Sequence, residues 1–323
     1  MDNILVAIHC LAYNHEPYIR ECLDGFIMQK TNFKFVAIVH EDASTDRTAT
    51  IIKEYAEKYP DIIKPIYETE NQYSKKDGTI QRIMSDAIEA TGAKYVAMCE
   101  GDDYWIDPYK LQKQVDFMEA NPEYVLCSHR FVNRIANNME FYEDHLGNLF
   151  MSQNVGVDIN NQKNLECWMT KTMTLLIRRE KLFRLPSASR FKYWRDVHMN
   201  YYLLKQGLGY CFPFVGAVYR CHDNGVFFSL SDSQKWITNL RIWNELLVEN
   251  KFDNDLFNFY LEQHKAFRNE IRMSIQKGRY NKILNDIKVL FILDYKFRGI
   301  KEIIFSFKKI MLSVYYRILK INN

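Results

Sequence analysis

The chain has 323 residues, 47% of them hydrophobic, and a formal net charge of +3, a balance that excludes intrinsic disorder and allows one or two domains with a substantial core. Its seven cysteines are odd in number and include no C-x-x-C pair, which argues for a reducing compartment and against a zinc site. No run approaches the roughly 18 apolar residues of a membrane-spanning helix, and Asp2 stands where a signal peptide would be basic, so we expect a cytoplasmic protein.

The first 120 residues alternate between short apolar runs and amphipathic stretches. The apolar runs predict strands at Ile4–Ile8, Phe35–Val39, Ile62–Tyr67 and Tyr95–Cys99. The amphipathic stretches predict helices at Pro17–Gln29, Asp46–Tyr59, Gly78–Ala90 and from Asp107 onward. Alternation of this kind predicts an α/β fold, with an open, mainly parallel twisted sheet flanked by helices.

Beyond residue 120 the pattern is less regular. Further strands are predicted at Tyr124–Ser128, Thr174–Ile177 and Val215–Tyr219, and a further helix at Trp194–Gln206. After Ser233 the signal is helical to the end, with breaks only at Gly278 and Gly299.

The C-terminal segment 277–323 differs from the rest in charge. It holds eleven Lys or Arg against three Asp or Glu, whereas the remainder of the chain is mildly acidic. Apolar residues such as Ile303, Phe307 and Ile310 recur there at three- and four-residue spacing between the basic ones. This profile predicts an amphipathic helix on an anionic membrane face. A helix packed on the rest of the chain, or on a partner chain, is the alternative.

Two acidic clusters carry the chemical signal of the sequence. His40–Asp46 directly follows the strand Phe35–Val39, and Glu100–Trp105 directly follows the strand Tyr95–Cys99. In an open α/β sheet, ligands bind beyond the carboxyl ends of the strands. Carboxylates crowded at that edge repel one another unless a cation joins them, which predicts a hard divalent ion holding a phosphate-bearing substrate.

Several local patterns together resemble family-2 glycosyltransferases of the GT-A fold. Ala12–Ile19 is similar to the family's Tyr-Asn loop after the first strand, and His40–Thr48 to its Asp-Asp-Gly-Ser-Thr-Asp-Gly-Thr element. Glu100–Trp105 resembles its Asp-x-Asp strand end. The resemblance is specific over about residues 4–120, looser over 165–230 and absent after about 235.

The resemblance implies a domain plan. A GT-A catalytic domain would occupy residues 1–232, with a nucleotide-sugar-binding half at 1–120 and an acceptor half at 121–232. A basic helical extension would follow at 233–323. The chain departs from the family pattern in four places: His9-Cys10-Leu11 stands where the family often has a Pro-Thr pair, Glu41 and Glu100 replace leading Asp residues, and Ala43 replaces a Gly. Glu keeps the charge but reaches one methylene further.

The family's nucleotide pocket maps onto five residues. The resemblance implies that Tyr13, Asn14, Glu41 and Asp42 line the site of the base and ribose, and that Arg82 faces the nucleotide from a helix. For Asp42 the alternative is helix capping, which the Ser-Thr-Asp sequence also suits. For Arg82 the alternative is a solvated helix face.

The second acidic cluster and a late motif supply the implied metal and phosphate ligands. By analogy, Asp103 contacts Mn²⁺ or Mg²⁺ and Asp102 contacts the ribose or the metal. In the late segment Tyr219-Arg220-Cys221-His222, the analogy gives His222 to the metal or diphosphate and Arg220 to phosphate. A capped, solvated turn and a structural histidine are the alternatives.

A general base is implied near a predicted helix start. The family places its catalytic base where Asp196 follows Trp194-Arg195, and an inverting transfer needs one carboxylate within reach of the acceptor hydroxyl. A helix N-cap is the alternative for this Asp.

The expected function is inverting, metal-assisted transfer of a sugar from a nucleoside diphosphate sugar, most simply a UDP-sugar. The acceptor would be a hydroxyl of a glycan or lipid-linked glycan in cell-surface polysaccharide synthesis, at the inner face of the membrane, and no nucleic acid partner is expected. A sugar-phosphate nucleotidyltransferase is one alternative, although the loop Tyr13–Glu16 lacks the glycines that such an enzyme should carry. The other is a non-catalytic, membrane-docked scaffold with a transferase fold.

Overall fold

The computed structural model describes residues 4–135, 141–150, 155–223, 225, 228–277, 286–292 and 306–314. The chain divides into two compact units, Met1–His222 and Asp223–Asn323. The domain boundary expected after residue 232, and the division of the first domain at residue 120, stay predictions.

Within the described residues, ten strands of the first unit form one sheet. In chain order they are Ile4–Ala12 (β1), Lys34–Glu41 (β2), Ile63–Tyr67 (β3), Tyr95–Met98 (β4), Tyr104–Trp105 (β5), Tyr124–Ile135 (β6), Phe141–Glu143 (β7), Val157–Ile159 (β8), Leu176–Arg178 (β9) and Leu208–Cys221 (β10). The α-helices of the same unit are Ile19–Ile27 (α1), Thr48–Lys58 (α2), Thr79–Ala90 (α3), Lys110–Ala120 (α4), Gly147–Phe150 (α5), Asn161–Cys167 (α6), Arg179–Leu182 (α7) and Asp196–Leu204 (α8).

The strand order is β3-β2-β1-β4-β9-β6-β10-β5, with β7 paired to β6 and β8 paired to β10. Strands β3, β2, β1 and β4 are parallel neighbours, as are β6 and β10. Strand β9 is antiparallel to both of its neighbours, and β5 is antiparallel to β10. The predicted fold class, a mainly parallel open sheet flanked by helices with a C-terminal helical part, is confirmed.

The alternation of side chains along β1 places a core on each face of the sheet. Val6, Ile8 and Cys10 belong to the cluster that contains α1, α2 and α4. Ala7 points to the other face and belongs to the cluster that contains α3 and α8. Because helices cover both faces, the central strands β1, β2 and β4 are mostly apolar, as is typical of a parallel sheet.

The second unit is helical where it is described. Helix α9 spans Asp232–Glu249 and α10 spans Asn254–Gln276, with two further helical segments at 286–292 and 306–314. The prediction of an uninterrupted helix up to Gly278 was wrong, because the Asp253 side chain accepts the Leu256 N–H at 2.9 Å and begins a new helix. Gly278 and Gly299 lie outside the described residues, as does much of the expected amphipathic tail. None of the described helices is long and apolar enough to cross a bilayer.

Candidate active site

The two acidic clusters flank the carboxyl end of β1. The backbone N–H of Asp42 donates to the Ala12 carbonyl at 3.0 Å, and that of Gly101 donates to the Leu11 carbonyl at 2.9 Å. Adjacent strands lie about 4.8 Å apart, so the two clusters stand roughly 10 Å apart across β1. They share one edge of the sheet because β2, β1 and β4 run in parallel.

Asp42 is buried and organises the segment that follows β3. Its Oδ1 accepts the Gln72 N–H at 2.7 Å and its Oδ2 accepts the Tyr73 N–H at 3.0 Å. The neighbouring Glu41 accepts the Ser44 N–H at 2.7 Å. Both carboxylates therefore fix the loops around the end of β2, and a direct contact with a nucleotide stays a prediction for each.

The Tyr-Asn loop is bonded to the loop after β2. Asn14 adopts a φ of +53°, its N–H donates to Ser44 Oγ at 3.0 Å, and its Oδ1 accepts the Thr45 N–H at 2.8 Å. Tyr13 is exposed next to it. The left-handed conformation suits Asn better than most residues, which explains its place here.

Two further tyrosines lie near the end of β2, and the sequence motifs did not identify them. Tyr67 ends β3 opposite Glu41, and Tyr73 follows Gln72 in the segment that Asp42 holds. Like Tyr13, both are exposed. Three aromatic faces at one strand edge provide stacking surfaces for a planar base. Arg82, by contrast, is exposed on α3, and within the described residues its side chain makes no ion pair.

Glu100, Asp102 and Asp103 form a compact carboxylate cluster. One oxygen from each lies within 4.8 Å of the others. Asp103 is buried, Asp102 is partly buried and Glu100 is exposed. A set of hard oxygen ligands at this spacing suits Mg²⁺ or Mn²⁺, which bind through one or two carboxylates together with substrate phosphates.

The carboxylates of this cluster repel one another. Glu100 is reached by solvent but surrounded by protein atoms, and this desolvation, with the charges of Asp102 and Asp196, raises its pKa to about 8. Burial and then the Asp102 charge raise the pKa of Asp103 well above its usual value. At Asp102 burial acts in the same direction, but the hydrogen bond with His222 and the charge of His15 outweigh it and lower the pKa. A bound cation would relieve this repulsion.

Two imidazoles flank Asp102. His222 Nε2 lies 3.2 Å from Asp102 Oδ2, and His15 Nε2 lies 3.9 Å from the same oxygen. His222 thus stands beside the carboxylate cluster, bonded to Asp102, and its predicted metal contact stays a prediction. The sequence motifs missed His15. A Cβ at Gly101 would lie 2.8 Å from His15 Nδ1, so the glycine of this motif is required by the imidazole that packs on it.

Arg220 is buried and forms hydrogen bonds with Asp102 and Asp103 of the acidic loop that follows β4. Its backbone N–H donates to Asp103 Oδ1 at 2.8 Å, and its Nη1 donates to the Asp102 carbonyl at 2.5 Å. Its Nη2 pairs with Glu21 on α1. The guanidinium is therefore occupied by the protein itself in this structure, and its predicted phosphate contact stays a prediction.

Asp196 is electrostatically linked to the cluster, since its charge is one cause of the raised pKa of Glu100. It is the first residue of α8, whose N-cap is Arg195, so the alternative of an N-cap Asp is not what the helix shows. Its Oδ1 accepts the Val197 N–H at 3.0 Å. Burial raises the pKa of Asp196, and Lys171 opposes this shift.

Lys171 is a site residue that the sequence did not reveal. Its ammonium lies 3.9 Å from the centroid of the Tyr219 ring. Its charge acts to lower the pKa of Glu100, Asp103 and Asp196, so its ammonium is within electrostatic range of all three carboxylates. A lone Lys in an irregular loop carries no pattern that would mark it.

This arrangement is that of the GT-A glycosyltransferases, in which strand-end carboxylates face one edge of a mainly parallel sheet. Residues 8–184, more than half of the chain, match the model of Glycosyl transferase family 2. The chain therefore belongs to glycosyltransferase family 2, as its sequence motifs predicted.

Relatives support this membership at different levels of sequence identity and over different lengths of the chain. A 124-residue segment is 44% identical to an uncharacterized protein of Mycobacterium tuberculosis, covering 38% of this chain and 34% of that protein. The chain thus spans about a third of the length of such relatives. An uncharacterized glycosyltransferase of Nostoc sp. is 23% identical over 252 residues, which cover 77% of this chain and 72% of that protein.

Solved structures share the fold. S. aureus TarS 1–349 in complex with UDP-GlcNAc aligns with a TM-score of 0.63 at 16% identity, over 96% of this chain and 89% of that one. The mannosyltransferase PcManGT from Pyrobaculum calidifontis, in complex with GDP-Man and Mn²⁺, aligns with a TM-score of 0.57 at 15% identity, over 98% and 87%.

Proposed function

We propose that this protein is an inverting glycosyltransferase that moves a sugar from a nucleoside diphosphate sugar to a hydroxyl group. The observation that carries the proposal is the cluster of Glu100, Asp102 and Asp103 at the strand edge, with Asp196 close enough to perturb it. The structural neighbours in complex with UDP-GlcNAc and GDP-Man support a nucleotide-sugar donor.

The carboxylate cluster would hold Mn²⁺ or Mg²⁺. Asp103 and Asp102 are the proposed ligands, with Glu100 as the third oxygen and His222 beside them. When bound, the ion neutralises charge on the departing diphosphate. The neighbour that contains Mn²⁺ supports this assignment.

The base and ribose of the donor would lie over the ends of β1 and β2. Asn14, Glu41 and Asp42 hold the loops there, and Tyr13 offers an exposed ring. We propose UDP as the nucleotide of the donor. Arg82 is retained as a proposed residue facing the nucleotide and Arg220 as a proposed phosphate contact. Arg220 would have to leave Glu21 in order to reach phosphate.

Asp196 is the proposed general base. Deprotonation of the acceptor hydroxyl by its carboxylate, followed by attack on the anomeric carbon from the side opposite the diphosphate, inverts the configuration without a covalent sugar–enzyme intermediate. Its raised pKa makes it a stronger base than an exposed Asp.

The test is a screen of UDP-, GDP- and dTDP-sugars for nucleotide release and for a shift of the melting temperature, with and without Mn²⁺. A ligand that binds only the folded state raises that temperature. We expect one donor class to bind in a Mn²⁺-dependent manner, and Asp103→Asn to abolish this while the exposed Asp116→Asn does not. Absence of binding by every donor would refute the proposal.

For the acceptor we propose a glycan or lipid-linked glycan of a cell-surface polysaccharide, reached from the inner face of the membrane. In the helical segment 306–314, Phe307, Met311 and Leu312 are exposed beside Lys308 and Lys309, which supports contact with an anionic bilayer. Flotation with phosphatidylglycerol vesicles, but not with phosphatidylcholine vesicles, is expected. Replacement of Lys308 and Lys309 by Glu should prevent it.

A further inference from the structure

Glu21 lies on α1, outside the carboxylate cluster, yet charged hydrogen bonds connect it to the acidic loop. One of its oxygens pairs with Arg220 Nη2 and the other accepts Arg134 Nη1 at 3.0 Å. On its opposite side, Arg220 donates through Nη1 to the Asp102 carbonyl at 2.5 Å. Glu21 is thus connected, through the single side chain of Arg220, to the loop that carries Asp102 and Asp103, called the metal loop below.

Arg220 is a buried cation in a region that contains the carboxylates of Glu21, Asp102 and Asp103. The direction of its side chain determines which of them it pairs with. Its guanidinium carbon lies 4.4 Å from the centroid of the Tyr104 ring and 5.2 Å from that of Tyr18. Among the described residues, Glu21 is the only carboxylate within 4 Å of this guanidinium. A buried charge that loses its partner is costly, so Arg220 would seek another anion if Glu21 were neutral.

The nearby alternative anions are those of the metal loop. The Arg220 backbone N–H already bonds Asp103 Oδ1 at 2.8 Å, and its guanidinium already contacts the Asp102 main chain. If the side chain turned away from Glu21 toward this loop, the guanidinium would pair with the Asp102 or Asp103 carboxylate. There it would occupy the oxygens that a divalent cation needs.

We propose that Glu21 is a positioning residue for metal binding. By holding Arg220, it fixes the loop of Asp102 and Asp103 and keeps the guanidinium off their carboxylates. Tyr18, the N-cap residue of the same helix, also supports the second contact of this loop, because its ring lies 4.6 Å from the His222 ring and His222 bonds Asp102. This inference rests on the proposed function only for what the loop binds.

The first measurement uses the ligand-free, full-length protein and compares Glu21→Gln with Glu54→Gln. Glu54 is a matched control, because it accepts Arg20 of α1 at 2.7 Å and its side chain is 47% exposed, against 46% for Glu21. Hydrogen exchange of the Arg220 amide reports its bond to Asp103. We expect exchange about tenfold faster in Glu21→Gln and unchanged in Glu54→Gln. Equal exchange in both variants would overturn the proposal.

The second measurement is calorimetric titration with MnCl₂, with and without UDP. Glu21→Gln should raise the Mn²⁺ dissociation constant by about tenfold or more, with a melting temperature close to that of Glu54→Gln. Adding Arg220→Gln to Glu21→Gln should recover part of the affinity, because the competing cation is gone. Unchanged Mn²⁺ affinity in Glu21→Gln overturns the positioning role. If wild-type protein binds neither Mn²⁺ nor UDP, the proposed function fails, and the exchange comparison alone decides whether Glu21 holds the loop.

Discussion

His222 Nε2 lies 3.2 Å from Asp102 Oδ2 although the two residues are 120 positions apart in the chain. The acidic loop after β4 is therefore completed by the end of β10, where Arg220 also donates to Asp103. The candidate metal site is a junction of two distant segments, and its geometry depends on both.

Asp196→Asn should separate catalysis from donor binding. The amide cannot accept a proton from the acceptor, so the transfer rate should fall by about 10²–10⁴, the usual contribution of general acid–base catalysis. Nucleotide-sugar affinity should change less than about twofold, because Asp196 is not among the proposed donor ligands. Donor hydrolysis and calorimetry measure the two quantities, with the exposed Asp116→Asn as control. A parallel loss of donor affinity would argue that Asp196 holds the donor instead.

Lys171→Met should shift the pH dependence of the reaction. Lys171 opposes the burial that raises the pKa of Asp196, so its removal should raise that pKa further. The base would then ionise only at higher pH, and the acidic limb of the pH–rate profile should move to higher pH. Lys171→Arg should keep the wild-type profile because it keeps the charge. Identical profiles for the Met and Arg variants would show that this charge does not tune the base.

Gly101→Ala should disturb the metal loop. The added Cβ would lie 2.8 Å from His15 Nδ1, closer than real Cβ atoms approach, and 3.0 Å from Ile19 Cδ1, which is a tight contact. Overpacking of this kind costs about 1–3 kcal/mol of stability. Chemical denaturation and Mn²⁺ titration should both register the change, and adding His15→Ala should recover part of the stability. No recovery would mean that the strain lies against the side chains of Ile19 or Ala12.

Lys110 should make stability rise with pH. It is completely buried, and desolvation lowers its pKa to about 7 from 10.5. Between those values the unfolded chain binds the extra proton, so the free energy of unfolding increases as pH rises. From pH 7 to 8.5 the increase should be roughly 1.5–2 kcal/mol, and it should be absent in Lys110→Met.

Urea unfolding of both proteins at the two pH values measures this difference. The comparison with Lys110→Met is essential, because burial raises the pKa of Cys99 to about 11 and thiol ionisation in the unfolded chain lowers stability at higher pH. Equal pH slopes for the two proteins would indicate that Lys110 is not protonated differently on folding.

The central strands and both acidic loops could be predicted from the sequence because their signals are local. A buried parallel strand is an apolar run, and the carboxylates follow it directly. The two-residue strand β5 has no period to detect, and nothing local shows that β9 enters antiparallel between β4 and β6.

Other site residues were missed for a related reason. Glu21 looks like a solvated residue on a helix face, because its partner Arg220 lies 199 positions away. Lys171 and His15 likewise acquire meaning only from what the fold brings beside them.

Asp102 and Asp103 precede Arg220 and His222 by more than 100 residues. This separation determines the order in which the parts of the candidate metal site are synthesised. Chains emerge from the ribosome N-terminal part first. The strands and helices of the first 120 residues can begin to fold early. Asp102 and Asp103, however, lack their contacts with His222 and Arg220 until those two residues have emerged. A nascent chain stalled before that point would carry the family's signature residues without the two side chains that complete the candidate metal site.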